Sequence, residues 1–172
     1  MVQDEARFGR STQPRKCWAP AGIRPCTPQP VIREAIYAFA AIAPQLGQMT
    51  SLILPSADTD MMTLFLEQVS KDFADAFIVM QVDGAGWHCS QDLQLPENIR
   101  LIFQPPYSPE LNPVEHLWDE LREKYFPNRL FSSLDALQEQ LCKGLNELAA
   151  DPDQLCSMTY FPHIRVACEN AG

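Results

Sequence analysis

Three acidic residues lie far apart in the sequence, at positions where a fold could bring them together: Asp4, Asp83 and Glu115. Carboxylate oxygens are the ligands that Mg²⁺ prefers in near-octahedral geometry. Two such ions about 4 Å apart activate an oxygen nucleophile and stabilise the leaving oxygen during displacement at phosphorus. Without a cation, clustered carboxylates repel one another and raise each other's pKa. If the three converge, we therefore expect a divalent-cation site suited to phosphodiester chemistry.

Glu115 follows a proline-rich stretch that begins at Gln104. Three prolines fix φ there and predict a stiff, extended connector that is neither helix nor central strand. Asn112 followed by Pro113 then predicts a helix start, with an N-cap side chain and a proline at the first helical position. An apolar stripe at helical spacing follows: Val114, Leu117, Trp118, Leu121 and Tyr125. Glu115 is thus predicted beside a buried stripe, at the positive end of the helix dipole.

Each carboxylate also has a structural interpretation. Asn112 and Glu115 have the spacing of a capping box, in which the glutamate returns to the N-cap N–H. Asp83-Gly84 fits a turn, and an acidic residue near a chain terminus such as Asp4 is usually solvated. With only three residues before it, Asp4 is predicted to lie at the end of a short, frayed first strand.

The hydrophobic pattern predicts an α/β domain with a mixed sheet and flanking helices. Three early antiparallel strands are expected, since Ala35–Ala43 and Gln48–Leu54 flank a Leu46-Gly47 turn signal. A helix capped by Asp58 or Thr59 leads to the apolar run 77–82, predicted as a central strand buried on both faces. A strand nearer an edge, 99–103, precedes the helix of Glu115, and a last helix starts near Ser132 or Ser133. Residues 16–27 are predicted as strand and turn, and the tail 153–172 has no clear periodicity.

Composition predicts one domain of ordinary globular character. The chain has 172 residues with 46% hydrophobic content, no apolar run of membrane length and no signal peptide, so cytoplasmic location is expected. Six scattered cysteines are predicted to be reduced and mostly buried. The net charge of −9 predicts weak DNA binding by this chain alone, although six of the 13 basic residues fall within the first 33.

Four motifs occur in an order that resembles a known family: Asp4-Glu5-x-x-Phe8, Trp18-Ala-Pro-Ala-Gly22, Asp83-Gly-Ala-Gly-Trp-His88, and Pro105-Pro-Tyr-Ser-Pro-Glu-Leu-Asn-Pro-Val-Glu115. The chain resembles the catalytic domain of DDE transposases of the mariner-like superfamily, in its bacterial insertion-sequence branch. The resemblance covers residues 1 to about 125 and implies a ribonuclease H-like fold.

The resemblance also implies site residues, cofactors and partners. Asp4, Asp83 and Glu115 would bind two Mg²⁺ or Mn²⁺ ions, with Asp4 bridging both. His88, Asn112 and Tyr107 would stand behind the metal ligands or contact DNA. The implied reaction hydrolyses DNA at a transposon end and joins the freed 3′-hydroxyl to target DNA, commonly at a TA dinucleotide.

The helix-turn-helix region of such transposases has no counterpart here, so residues 1–172 are expected to form a single catalytic domain. A separate helix-turn-helix subunit or a homodimer would supply what is missing. Two alternatives stay open at this point. One is an inactive remnant or regulatory partner of a full-length transposase, and the other is an unrelated ribonuclease H-like nuclease or resolvase, which would lack the proline-rich motif.

Overall fold

The protein is built on one five-stranded sheet. The computed structural model describes residues 1–11, 18–23, 26 and 32–170. The strands are β1 (Val2–Gly9), β2 (Ala35–Ala43), β3 (Gln48–Leu54), β4 (Ile78–Val82) and β5 (Ile99–Phe103). Their order across the sheet is β3-β2-β1-β4-β5, with β1–β2 and β2–β3 antiparallel and β1–β4 and β4–β5 parallel. The mixed sheet with three early antiparallel strands is therefore confirmed.

The first strand differs most from its prediction. β1 is eight residues long, occupies the centre of the sheet, and pairs with β2 along its whole length. Val2 is only 4% exposed, and Asp4 lies opposite Ala40 inside the strand rather than at its end. The predicted short, frayed strand is wrong, because the residues after Asp4 continue the alternation of buried and less buried side chains through Phe8.

Helices cover the sheet on both faces. They are α1 (Thr59–Asp72), α2 (Val114–Lys124), α3 (Leu134–Ala149), α4 (Pro152–Thr159) and α5 (Pro162–Asn170). α1 packs its apolar stripe on one face, around Phe39 and Met80, while α2 and α3 pack on the other around Trp118 and Leu141. Asp58 caps α1 and Ser133 caps α3 through their side chains, as their residue types predict.

Four further expectations need correction. β4 is not buried on both faces, because Val79 is 48% exposed. The tail folds into α4, capped by Asp151, and α5. Cys26, Cys89 and Cys142 are exposed rather than buried. Of 16–27, residues 16–17, 24–25 and 27 lie outside the described residues; 18–23 contains the predicted turn, at 21–22, but no strand. No helix in the described part of the chain is long and apolar enough to cross a membrane.

The hairpin between β2 and β3 depends on a glycine. Gly47 has a φ of 60°, and a Cβ there would lie 2.2 Å from the carbonyl oxygen of Pro152. Left-handed backbone disfavours side chains, and this contact also leaves no room for one. The turn is thus the place where the start of α4 docks against the sheet.

Replacing Gly47 with Ala is expected to lower the free energy of unfolding by on the order of 3 kcal/mol, from backbone strain and overpacking together. Gly22→Ala is the matched control, since Gly22 also has positive φ but nothing within 4 Å of a Cβ. Urea denaturation of both variants separates the cost of a side chain at positive φ from the cost of its contact with Pro152. Equal losses would mean that contact with Pro152 contributes nothing.

Candidate active site

The sheet register brings two of the predicted acidic residues together. Val2 of β1 pairs in parallel with Gln81 of β4, so two residues further along both strands Asp4 comes alongside Asp83. Asp83 follows the last residue of β4, where loops leave the carboxyl ends of parallel strands and ligands commonly bind. The predicted position of Asp83 is confirmed, and Asp4 reaches the same place from inside a strand.

Glu115 reaches this place from the first turn of α2. A cavity of about 470 Å³ is lined by all three acidic side chains together with Asn112 and Tyr107. The remaining lining comes from the start of the loop after β4 and from the proline-rich loop: Gly84, Ala85, Gln104, Pro105, Pro106, Ser108 and Pro109. Five of the six predicted site residues therefore meet at one cavity.

The proline-rich loop is anchored at both ends. The N–H of Gln104 donates to Val82 O at 2.9 Å, and the Gln81 side chain donates from Nε2 to Leu111 O at 3.1 Å. The expectation of a fully extended connector is wrong, since Pro109–Leu111 forms a 3-10 helix whose proline stands where no N–H is needed. The loop is a fixed wall of the cavity.

Asn112 closes this loop and starts α2. It is 4% exposed, has extended backbone, and its Oδ1 accepts from Val114 N at 3.1 Å. Its own N–H donates to Pro109 O at 2.9 Å rather than to Glu115. The reciprocal bond of a capping box is therefore not made, and Glu115 lines the cavity instead.

Asp4 is the most perturbed acid of the site. Burial, followed by the negative charge of Glu115, raises its pKa to about 7, while a hydrogen bond from Trp118 opposes the shift. Trp118 Nε1 donates to Asp4 Oδ2 at 2.9 Å. A buried carboxylate whose ionised form is disfavoured by a neighbouring carboxylate is the arrangement that a bound cation would relieve.

His88 stands behind Asp83 rather than in the cavity. It is 3% exposed, and its Nδ1 lies 2.7 Å from Asp83 Oδ1 and 3.2 Å from Asp83 O. Burial lowers its pKa, but the carboxylate of Glu5, whose Oε2 lies 3.5 Å from Nε2, and that of Asp83 outweigh this effect, so the pKa is raised. Asp83 Oδ1 also accepts from Ala85 N at 2.9 Å.

Sequence reasoning missed two contributors. Trp118 was predicted only as core, and it is 1% exposed, but it also donates to Asp4. Its position three residues after Glu115 on the same helix side was the available signal. Glu5 was noted only within a motif, although strand alternation places it on the face opposite Asp4. Trp18, the first residue of the second sequence motif, is fully exposed.

The carboxylates are suitable ligands for a hard divalent cation, but their side chains are not arranged to coordinate one. Within the ranges that the structure describes, no three or more His, Cys, Asp or Glu side chains are grouped so that they could hold a metal ion. The donor chemistry, the shared cavity and the raised pKa of Asp4 fit such an ion. Some side-chain rotation would have to accompany its binding.

A sequence profile of the DDE superfamily endonucleases matches residues 1–138, well over half of the chain. The chain belongs to the DDE superfamily endonuclease family. An uncharacterized protein of Sinorhizobium fredii, y4pE/y4sA, is 38% identical to this DDE endonuclease domain over 123 residues, 71% of this chain and 91% of that protein. The predicted family is thus confirmed.

Solved structures show the same fold for this DDE endonuclease domain. The Mos1 transposase paired-end complex with left transposon end aligns with a TM-score of 0.61 at 12% identity, over 91% of this chain and 54% of that one. The Mos1 strand transfer complex gives 0.63 at 14%, and the Mos1 mariner paired-end complex with Mn gives 0.62 at 14%. These two cover 93% of this chain and 55% and 56% of theirs. The chain thus spans little more than half of each, and its fold is ribonuclease H-like as predicted.

Proposed function

We propose that this chain is the catalytic domain of a transposase, which cleaves DNA and transfers the cut strand by displacement at phosphorus. The observation that carries the proposal is the cavity shared by Asp4, Asp83 and Glu115. Family membership supports a nuclease, and the fold likeness to a Mos1 paired-end complex with a transposon end and to a Mos1 strand transfer complex supports transposition.

Asp4, Asp83 and Glu115 would hold two Mg²⁺ or Mn²⁺ ions, whose chemistry is to activate the attacking oxygen and stabilise the leaving one. Mos1 paired-end complexes with Mn and with Mg share this fold, which supports the choice of ions. Trp118 and His88 hold the two aspartates in place through hydrogen bonds to one oxygen of each. Partners behind metal ligands commonly fix orientation in this way.

Two reactions would use the same cavity. In cleavage, water loses a proton and bonds to phosphorus, the bond from phosphorus to the 3′ oxygen breaks, and that oxygen takes up a proton. In transfer, the freed 3′-hydroxyl loses its proton, bonds to a target phosphorus, and displaces another 3′ oxygen, which takes up a proton. The proline-rich loop would form the wall against which DNA lies.

Tyr107 is the residue of that wall best placed to meet a base. Its side chain is fully exposed and its φ is 58°, an unfavourable value for an aromatic residue. Exposed aromatic side chains stack on unpaired bases with little dependence on sequence. We include Tyr107, and Asn112 as the buried support of its loop, in the DNA-contacting part of the proposal.

Net charge limits what the chain would do alone. At −9, it would not neutralise many phosphates, so affinity and recognition of transposon ends would come from a helix-turn-helix segment elsewhere or from a homodimer. We also propose that the target DNA is cut at a chosen sequence, such as a TA dinucleotide, and that the protein acts in the cytoplasm.

The experiment is nicking of a supercoiled plasmid with Mn²⁺. Asp83→Ala is expected to abolish nicking, whereas Asp92→Ala, which removes an exposed acid further along the same connection, leaves it unchanged. Equal nicking by wild type and Asp83→Ala would refute the proposal.

A second candidate is a folded but inactive transposase partner. It is favoured because no three acidic, histidine or cysteine side chains among the described residues are arranged to hold a metal ion. Calorimetric titration discriminates: cooperative thermal unfolding without Mg²⁺ or Mn²⁺ binding would support the inactive partner.

A further inference from the structure

Glu5 is a buried carboxylate that the proposed chemistry does not use. Alternation along β1 turns it away from Asp4 and toward the face covered by α1. Its side chain is only 8% exposed. A carboxylate so buried is costly unless hydrogen-bonded or paired, so its partners indicate its role.

Those partners tie two segments together. Glu5 Oε1 accepts from Trp87 Nε1 at 3.0 Å, and Oε2 accepts from Gln3 Nε2 at 3.0 Å. Oε2 also lies 3.5 Å from His88 Nε2, an ion-pair distance that leaves this nitrogen without a hydrogen bond within the described structure. Trp87 and His88 both belong to the loop after β4, so Glu5 fastens that loop to the central strand.

The fastened loop in turn holds Asp83. His88 Nδ1 at 2.7 Å and Ala85 N at 2.9 Å both meet Asp83 Oδ1. A carboxylate oxygen accepts, so Nδ1 must carry the proton of this bond. Both bonds go to the same oxygen, which fixes the rotation of the carboxylate while Oδ2 carries neither of them.

We propose that Glu5 is a positioning residue: through Trp87 and His88 it holds the loop 84–88 and thereby sets the orientation of the Asp83 carboxylate. The effect of Glu5 on cation binding rests on the proposed function. The hold of Glu5 on the loop rests only on the contacts described above, so loop order and cation binding are tested separately.

The test compares Glu5→Leu, which keeps bulk but has no acceptor, with Glu5→Gln, which keeps an acceptor for Trp87. Hydrogen exchange at the amides of Ala85 and His88, both hydrogen-bonded within the loop, is expected to quicken at least about tenfold in Glu5→Leu. Amides of α1 and β2 should be unchanged, and Glu5→Gln should restore most of the protection. Trp87→Phe, which removes the Nε1 donor and part of the ring but keeps His88 beside Glu5, should loosen the same amides less.

Mn²⁺ titration of the same variants gives the second readout. Glu5→Leu is expected to weaken binding by about 10- to 100-fold, with Glu5→Gln close to wild type. Unchanged exchange at Ala85 in both Glu5→Leu and Trp87→Phe, or equally faster exchange throughout the sheet, would overturn the proposal. If wild type binds no Mn²⁺, the proposed function fails in its cation requirement, and the exchange of Ala85 still decides the role of Glu5.

Discussion

Asp4→Asn is expected to raise stability at pH 8 while abolishing nicking. The folded protein holds the Asp4 proton up to a pKa of about 7, whereas the unfolded chain releases it near 3.8. Between these values the unfolded state binds fewer protons, so the Asp4 contribution to the free energy of unfolding falls as pH rises, by about 1.4 kcal/mol per pH unit. Asn removes this dependence and keeps an oxygen for Trp118 Nε1.

The measurement is urea denaturation of metal-free protein from pH 4 to pH 8. The advantage of Asp4→Asn over wild type should grow across this range to on the order of 3 kcal/mol and level off above pH 7. Asp135→Asn, the same change at an exposed position of α3, should stay within about 0.5 kcal/mol of wild type. Parallel curves for Asp4→Asn and wild type would show that Asp4 ionises normally.

Adding Mn²⁺ should make wild type more stable than Asp4→Asn. A cation that binds only the folded state stabilises wild type by mass action, and Asp4→Asn has lost a ligand for it. The stability gained by the variant and its lost activity are then two effects of one carboxylate, as expected where a site is kept strained for function.

Glu115→Gln is expected to lower nicking by at least about 100-fold, since even residues behind metal ligands cost 10- to 100-fold. Stability at pH 8 should rise, because the charge of Glu115 is the second cause of the raised Asp4 pKa. Plasmid nicking and thermal unfolding on the same samples check both effects.

This substitution separates the two roles of Glu115. Gln serves a capping box as well as Glu does, so a purely structural Glu115 would tolerate the change in both assays. Glu110→Gln is the matched control, because Glu110 is exposed on the same proline-rich loop. Full activity in Glu115→Gln would return Glu115 to a structural role.

Local patterns predicted most of the fold. The bounds of β2 and β3 follow from their apolar runs and the Leu46-Gly47 turn, and the caps Asp58 and Ser133 start their helices as expected. The errors came where long-range pairing decides. β1 is central because β2 and β4 pair on either side of it, and nothing near Asp4 in the sequence shows that.

For the site, too, local features were predicted and long-range contacts were not. Residue types and motif order predicted five of the residues that line the cavity, and for Asp83 and Glu115 the end of a strand and the start of a helix are visible in the sequence. The hydrogen bonds from Trp118 to Asp4 and from Trp87 to Glu5 join residues 114 and 82 positions apart. Such contacts depend on packing across the sheet, which periodicity does not reveal.

The most direct test is the anomalous diffraction of a crystal soaked in Mn²⁺. The proposed function predicts manganese peaks in the cavity, bounded by carboxylate oxygens of Asp4, Asp83 and Glu115, with Glu115 turned toward the aspartates. An empty cavity at saturating Mn²⁺, or manganese bound only elsewhere on the protein, would contradict it.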